Sequence, residues 1–321
     1  MTLLATRFQA LMVLCSLCFI AASPAGPDPV NDYVLTTSAK GSAGYDVEDI
    51  VTKTFEVRSG GTLYLELDYG NIEIQEGGRN TVEIEMVRKV RVNSESEARK
   101  ILEEHHEYSF ENNRDDVIIE SNYRGKDSGR SGRWNRDGKR KFNINIIVRV
   151  PEIYNVDFVT GAGNVEIEDI EGEVNGKTGA GNVDISDMDG AIDIVSGAGN
   201  IDIEGVTETV EVNTGAGNIS LEDVQGFVRA KTGAGNITAK ISEQPDRDSR
   251  LETGAGNVTV YLARDVGVYV DAVAAMGSAS CDCALRVEGK WMKKSFEGEI
   301  NGGGPDLFMR AGVGNVTLRK K

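Results

Sequence analysis

The chain has 321 residues, 40% of them hydrophobic and 27% charged, enough for one large or two medium domains with a buried core. Its formal net charge is −16, and between Gly161 and Leu262 it carries 19 Asp and Glu against 6 Lys and Arg, a local net of −13. A surface of that sign repels phosphate, which excludes nucleic-acid binding by this region.

The N-terminus reads as a secretory signal over residues 1–25. Arg7 supplies the positive charge, Phe8 to Ala22 the apolar run, and Ser23-Pro24-Ala25 the small residues at the cleavage positions, with Gly26 as the mature start. The apolar run is shorter than the roughly 20 residues of a membrane-spanning helix. Neither Cys15 nor Cys18 follows the small-residue pair of a bacterial lipid-attachment box. The expected compartment is extracytoplasmic, periplasmic or secreted, in a bacterium. Residues 26–53 are polar with early prolines and read as a flexible leader.

Residues 54–150 read as a β-rich N-terminal part. Thr54 to Arg58 and Thr62 to Asp68 alternate in polarity, Gly70-Asn71 turns, and Ile72, Ile74, Val82, Ile84 and Met86 continue the alternation. One short helix interrupts the strands. Ser94 with Glu97 makes a capping box, and Ala98, Ile101, Leu102 and His105 fall at helical spacing. Val117 to Ile119 and Phe142 to Val150 return to strand. Between them, residues 123–141 carry Arg124, Lys126, Arg130, Arg133, Arg136, Lys139, Arg140 and Lys141 around Trp134. That composition cannot build a core and predicts a loop whose charge is mainly solvated. It is also the one segment suited to an anionic polymer or membrane surface.

Residues 151–321 are organised by a repeat. Gly-Ala-Gly-Asn starts at Gly161, Gly179, Gly197, Gly215 and Gly233, 18 residues apart, and again at Gly254 after 21; Gly-Val-Gly-Asn starts at Gly312. A fixed period near 20 is the signature of a solenoid. Apolar columns follow each Asn: Val165, Val183, Ile201, Ile219, Ile237 and Val258, then Ile167, Ile185, Ile203, Leu221, Ala239 and Val260. A third site (Ile170, Met188, Val206, Val224) rounds a corner into Val174, Ile192, Val210 and Val228. Alternation on both sides of a turn predicts two short strands per coil, stacked about 4.8 Å apart into two parallel sheets. The fold class is therefore all-β, a parallel β-solenoid of 18-residue, two-strand coils preceded by a β-rich region with one short helix. In each corner the glycines are expected to supply positive φ or close approach, the Ala to point inward, and the Asn to bond its counterparts above and below. The Thr/Ser column before each motif is expected to form an inward hydroxyl ladder. Residues 241–250, with Pro245, should bulge as an external loop, and the segment from Gly302 should cap the open end.

Three chemistries are conceivable on this frame. Outward carboxylates Glu166, Asp184 and Asp202, beside Glu168, Glu204 and Glu222, suggest a calcium-dependent β-roll, but the repeat lacks the second Gly-rich half and the turn Asp of such rolls. A β-helical polysaccharide-active enzyme needs a cleft with paired carboxylates, which minimal corners do not leave room for. Cys281-Asp282-Cys283 lacks further soft ligands for a metal and fits a locally oxidised pair or two packed thiols. No residue is assigned as catalytic, cofactor-binding or metal-binding, and no cofactor is expected.

The Gly-Ala-Gly-Asn-Val/Ile-x-Ile/Leu series, the opening Phe55 to Ile74, Val150-Pro151, and the ending Gly303-Gly304-Pro305 with Gly314-Asn315-Val316-Thr317-Leu318 together resemble the putative-adhesin family of β-strand-repeat proteins, the DUF4097 group. The resemblance covers about Thr54 to Leu318. It implies a non-enzymatic extracytoplasmic β-solenoid, in some relatives linked to envelope-stress sensing or surface attachment, and it brings no catalytic residues. The expected partner is an envelope protein or polymer bound through the flat faces, with membrane contact only through residues 123–141.

Overall fold

The computed structural model describes residues 32–39, 45–92, 94–124, 142–285, 287–289 and 293–320. The signal, residues 1–25, lies outside them, as does most of the basic loop.

The N-terminal part contains strands β1 (Asp32–Ala39), β2 (Tyr45–Glu56), β3 (Thr62–Leu67), β4 (Asn71–Glu76) and β5 (Thr81–Val92), helix α1 (Glu95–Glu104), and strands β6 (His106–Asn113), β7 (Asp116–Tyr123) and β8 (Phe142–Val150). The repeats give β9 (Asn155–Thr160), β10 (Val165–Glu171), β11 (Val174–Thr178), β12 (Val183–Asp189), β13 (Ile192–Ala198), β14 (Ile201–Val206), β15 (Val210–Ala216) and β16 (Ile219–Val224). They continue through β17 (Val228–Ala234), β18 (Ile237–Ile241), β19 (Ser249–Ala255) and β20 (Val258–Leu262). The chain ends with β21 (Val268–Met276), β22 (Ala279–Cys281), β23 (Lys294–Ile300), β24 (Asp306–Val313) and β25 (Val316–Lys320).

These strands build a parallel β-solenoid with two strands per coil. A 13-stranded sheet A runs β1-β2-β5-β8-β4-β10-β12-β14-β16-β18-β20-β25-β22, and a 12-stranded sheet B runs β23-β21-β24-β19-β17-β15-β13-β11-β9-β3-β7-β6. The apolar columns of the repeat are the rungs of the stack: Val165 pairs Val183, Val183 pairs Ile201, Ile201 pairs Ile219 and Ile219 pairs Ile237. All are buried. At Gly176 a Cβ would lie 2.2 Å from the Phe158 ring, so the missing side chain makes room for a fully buried aromatic one coil below.

Close approach between coils sets the corner residues. A Cβ at Gly199 would sit 1.9 Å from the carbonyl oxygen of Gly181, and Gly199 has φ +135, so both space and backbone demand glycine there. The opposite corner carries Asp169 (φ 56), Asp187 (φ 52), Gly205 (φ 69) and Asp223 (φ 55), a left-handed position that Asp and Gly tolerate. That Asp/Asp/Gly/Asp column recurs at the 18-residue period and is legible in the sequence.

Several expectations are corrected. Within the leader, residues 45–53 are strand, with Val47 and Val51 buried; Asp49 breaks their apolar alternation because it is buried against Arg88 instead. The motif alanines do not point into the core: Ala180, Ala198, Ala216, Ala234 and Ala255 are exposed and Ala162 is half-buried. The buried hydroxyls of Thr232 and Thr253 donate to corner carbonyls of Gly217 and Gly235 (2.9 and 2.8 Å) rather than to each other. The 241–250 insertion is more than an external bulge. Pro245 and Ser249 are buried, and the Gln244 amide brackets Gly267, donating to its carbonyl (2.9 Å) and accepting from its N–H (2.8 Å).

The last coil is not the cap. β24 and β25 lie between β19–β20 on one side and β21–β22 on the other, so the chain skips one coil position after Leu262 and returns to fill it. The off-period segment β21–β23 closes this end. At the other end the chain likewise leaves sequence order: β3–β4 is sandwiched between β7–β8 and β9–β10. There α1, with Ala98, Ile101 and Leu102 buried and Ser94 capping its first turn through Glu97 N–H, packs on β5 and β6.

Candidate functional surfaces

The Asn column runs longer than the motif. Asn164 N–H donates to Asn71 Oδ1 (3.1 Å), Asn182 to Asn164 (3.1 Å), Asn200 to Asn182 (3.1 Å), and the series continues through Asn218, Asn236, Asn257 and Asn315 to Ser278 N–H. Asn71 Nδ2 donates to Asn145 Oδ1 (3.0 Å), so β8 joins the ladder although it carries no motif. Each side chain satisfies the backbone of the next coil, which is structural work.

Sheet A turns an in-register row of carboxylates outward. Glu73 neighbours Glu166, Glu166 neighbours Asp184, and Asp184 neighbours Asp202. A shallow depression across these rungs is lined by Glu166, Glu168, Asp184, Asp202, Glu204 and Glu222. Partial burial raises the carboxyls of Glu168, Asp184 and Asp202 above the usual range, with Glu166 adding to the shift at Glu168 and Asp184 and Glu222 adding at Asp202. Lys240 ends the adjacent column, Glu168, Ser186, Glu204 and Glu222, by pairing with Glu222. Sheet B is mixed instead. Burial raises Asp157 and Asp193, Lys177 opposes both shifts, and Arg229 pairs with Glu211 on the adjacent strand (2.7 Å).

A buried polar network lies at the α1 end. Arg88 Nε donates to Asp49 Oδ2 (2.7 Å), and its Nη1 donates to Leu102 O (3.2 Å) and lies 3.3 Å from His106 Nδ1. An arginine can only donate, so Nδ1 accepts and the proton sits on Nε2, which donates to Ser121 Oγ (2.8 Å). Burial, then the Arg88 charge, pushes His106 down to about 3. Ser, His and Asp are thus present together, but a guanidinium separates the carboxylate from the imidazole. A base that weak, facing a cation and sealed from solvent, cannot activate Ser121 as a nucleophile. The Tyr108 ring lies against Arg88 at 5.0 Å. His105, at helical spacing in the sequence, caps α1 and packs edge-on to Tyr123, and the buried role falls to His106.

At the root of the basic loop, Tyr69, Tyr123 and Phe142 form an aromatic cluster with centroids 5.6 to 6.1 Å apart. Tyr123 N–H donates to Asp68 and Arg124 pairs with Glu107. Residues 125–141, with Trp134 and the other basic side chains, lie outside the described residues. Cys281 and Cys283 are joined by a disulfide. Among the described residues no group of three or more His, Cys, Asp or Glu is arranged to hold a metal ion, and no helix is long and apolar enough to cross a membrane.

Residues 62–319 match the model of a family described as Toastrack DUF4097. Among solved structures, a putative adhesin from Bacteroides fragilis NCTC 9343 is similar at 14% identity and TM-score 0.47, covering 85% of this chain and 97% of that one. A putative cell adhesion protein from Clostridium sporogenes ATCC 15579 is similar at 18% identity and TM-score 0.28, covering 84% and 99%. A putative lipid binding protein from Parabacteroides distasonis ATCC 8503 gives 10% identity and TM-score 0.30, covering 85% and 96%. No curated protein matches the chain.

Proposed function

The chain belongs to the Toastrack DUF4097 family, and we propose that it is a non-catalytic, extracytoplasmic binding module that presents the flat acidic face of sheet A to a cationic envelope protein or polymer. The observation that carries this reading is the in-register row Glu73, Glu166, Asp184 and Asp202, a rigid charged surface with its spacing set by the coil. A rigid face loses little conformational entropy on docking, and complementary charge both steers and selects a partner. The extracytoplasmic assignment is supported by the apolar N-terminal run with its small-residue site and by the Cys281–Cys283 disulfide, a bond that persists in oxidising compartments.

The test compares full-length protein with the triple variant Glu166→Gln, Asp184→Asn, Asp202→Asn, and with a control that removes equal charge at Glu243, Glu297 and Glu299. Capture of envelope components should fall for the first variant and hold for the control. It should also fall in about 1 M salt, where screening extends over only about 3 Å. Equal capture by all three proteins removes the acidic face from the proposal. Cell fractionation with mass measurement of the mature N-terminus tests the compartment.

A further inference from the structure

The disulfide at the C-terminal end sits on the edge of sheet A, where it does more than join two sulfurs. Strand β22 pairs Ala279 with Val316, Ser280 with Thr317 and Cys281 with Leu318, and then stops, although β25 continues to Lys320. Its last rung is the Asp282 N–H donating to Leu318 O (3.0 Å). In an extended strand the side chains of residues i and i+2 stand on one face about 6.6 Å apart, whereas bridged cysteines hold their Cβ atoms roughly 3.5–4.5 Å apart. The bond therefore forbids extended backbone across 281–283; the Cα atoms are drawn in to 5.1 Å and the chain bends at 282–284. A sequence separation of two encloses almost no chain, so the bond constrains the unfolded state far less than a long-loop disulfide would. Both cysteines are half-buried, packed on the core on one side.

We propose that Cys281–Cys283 is a thiol–disulfide exchange site that sets the length of the edge strand of sheet A. The thiolate of an external thiol or dithiol attacks one sulfur; a mixed disulfide forms, and the other cysteine leaves as a thiolate and takes up a proton. A second reductant thiol then displaces the protein sulfur, two electrons having passed to the cysteine pair and the reductant leaving as its own disulfide. Freed of the bond, the segment continues the parallel register along β25. Asp282 comes opposite Arg319, an opposite-charge pair, and Cys283 opposite Lys320. The ladder gains Lys320 N–H to Asp282 C=O and Ala284 N–H to Lys320 C=O. Oxidised, the edge is blunt; reduced, it is longer and open to a further strand.

The experiment is hydrogen exchange on the full chain, oxidised and after treatment with dithiothreitol, with alkylation and mass measurement to count free thiols. Reduction should free both thiols without unfolding and slow exchange at Ala284 and Lys320 by about tenfold. The double variant Cys281→Ser, Cys283→Ser should show the same protection with no reductant. Unchanged exchange at both amides in the reduced protein overturns the proposal. So does a pair that dithiothreitol cannot reduce in the native state.

Discussion

The two ends of the stack are closed by different physics. At the α1 end, sheet A runs three antiparallel strands past β8, whereas sheet B runs only one past β7. The uncovered inner face is filled by α1 and by Arg88, whose charge is buried against Asp49 (2.7 Å). At the other end the sheets finish almost level, and the links that jump the out-of-order coil are held by separate side-chain clasps, two of them charged: Asp248 Oδ1 accepts from Asp306 N–H and Lys320 Nζ donates to Asn301 Oδ1 (both 2.9 Å). Besides Gln244 on Gly267, Asn301 Nδ2 donates to the carbonyls of Arg264 and Val266 (both 2.7 Å). A desolvated ion network is strongly coupled, costly to break one member at a time and sensitive to protons. The Gln244 clasp on Gly267 contains no titratable group and involves only neutral hydrogen bonds, which are individually weaker.

The largest test breaks the charged end. Arg88→Met should lower unfolding free energy by about 3–5 kcal/mol in urea titrations at pH 7, because Asp49 is left buried without its cationic partner. A loss below about 1 kcal/mol would mean that water reaches Asp49 and that the network does not fasten α1.

Between the ends, the coils themselves are tested by Gly199→Ala. Its Cβ would meet the Gly181 carbonyl oxygen at 1.9 Å with φ at +135, so a loss of about 2–4 kcal/mol is expected. The neighbouring Ala198→Ser, at an exposed site, should change stability by less than about 0.5 kcal/mol. Were the two effects equal, the crowding between coils would not be what the motif encodes.

That contrast also marks what is legible in the sequence. The coil, its columns and the Asn ladder followed from spacing alone, because every residue of a repeat meets its own equivalent one period away. The order of coils did not. Periodicity records which residues share a column, such as Gly254 and Gly312, but not that the segment between them lies beyond both. The charged end was hidden for another reason. Asp49, Arg88 and His106 occupy inward positions, where a polar residue reads as a break in the strand pattern; only their mutual contacts make them core. The outward orientation of the acidic face is legible in the period-2 alternation, but the raised carboxyls of Asp184 and Asp202 depend on burial that the sequence does not display.

Acid separates these regions by sign. His106, about 3 in the fold against 6.5 unfolded, stays neutral when folded while the unfolded chain binds a proton, so stability is lost as pH falls below about 6.5. Between pH 7 and pH 5 the loss should be about 2 kcal/mol, and His106→Gln should flatten the slope over that window. The carboxyls of Glu168, Asp184 and Asp202 are shifted upward, so the folded protein takes up their protons first and gains stability from them as pH falls through the carboxylate range. Asp184→Asn with Asp202→Asn should remove part of that gain. A slope between pH 7 and pH 5 that is the same with and without His106 would assign the acid response elsewhere.

A smaller loss is expected at the end closed by β21–β23. Gln244→Ala removes both hydrogen bonds to Gly267, whose backbone is buried, and should cost about 1.5 kcal/mol. No titratable group takes part in that clasp, so the cost should be the same at pH 7 and pH 5, while the cost of Arg88→Met should change as His106 gains or loses its cationic neighbour. Hydrogen exchange gives the same contrast in space. Gln244→Ala should speed exchange in β21 and β24, which flank the jump, and leave α1 and β6 unaltered. If opening spread to α1, the two closures would be one cooperative unit, and the stack would carry coupling from end to end that its separate chemistries do not predict.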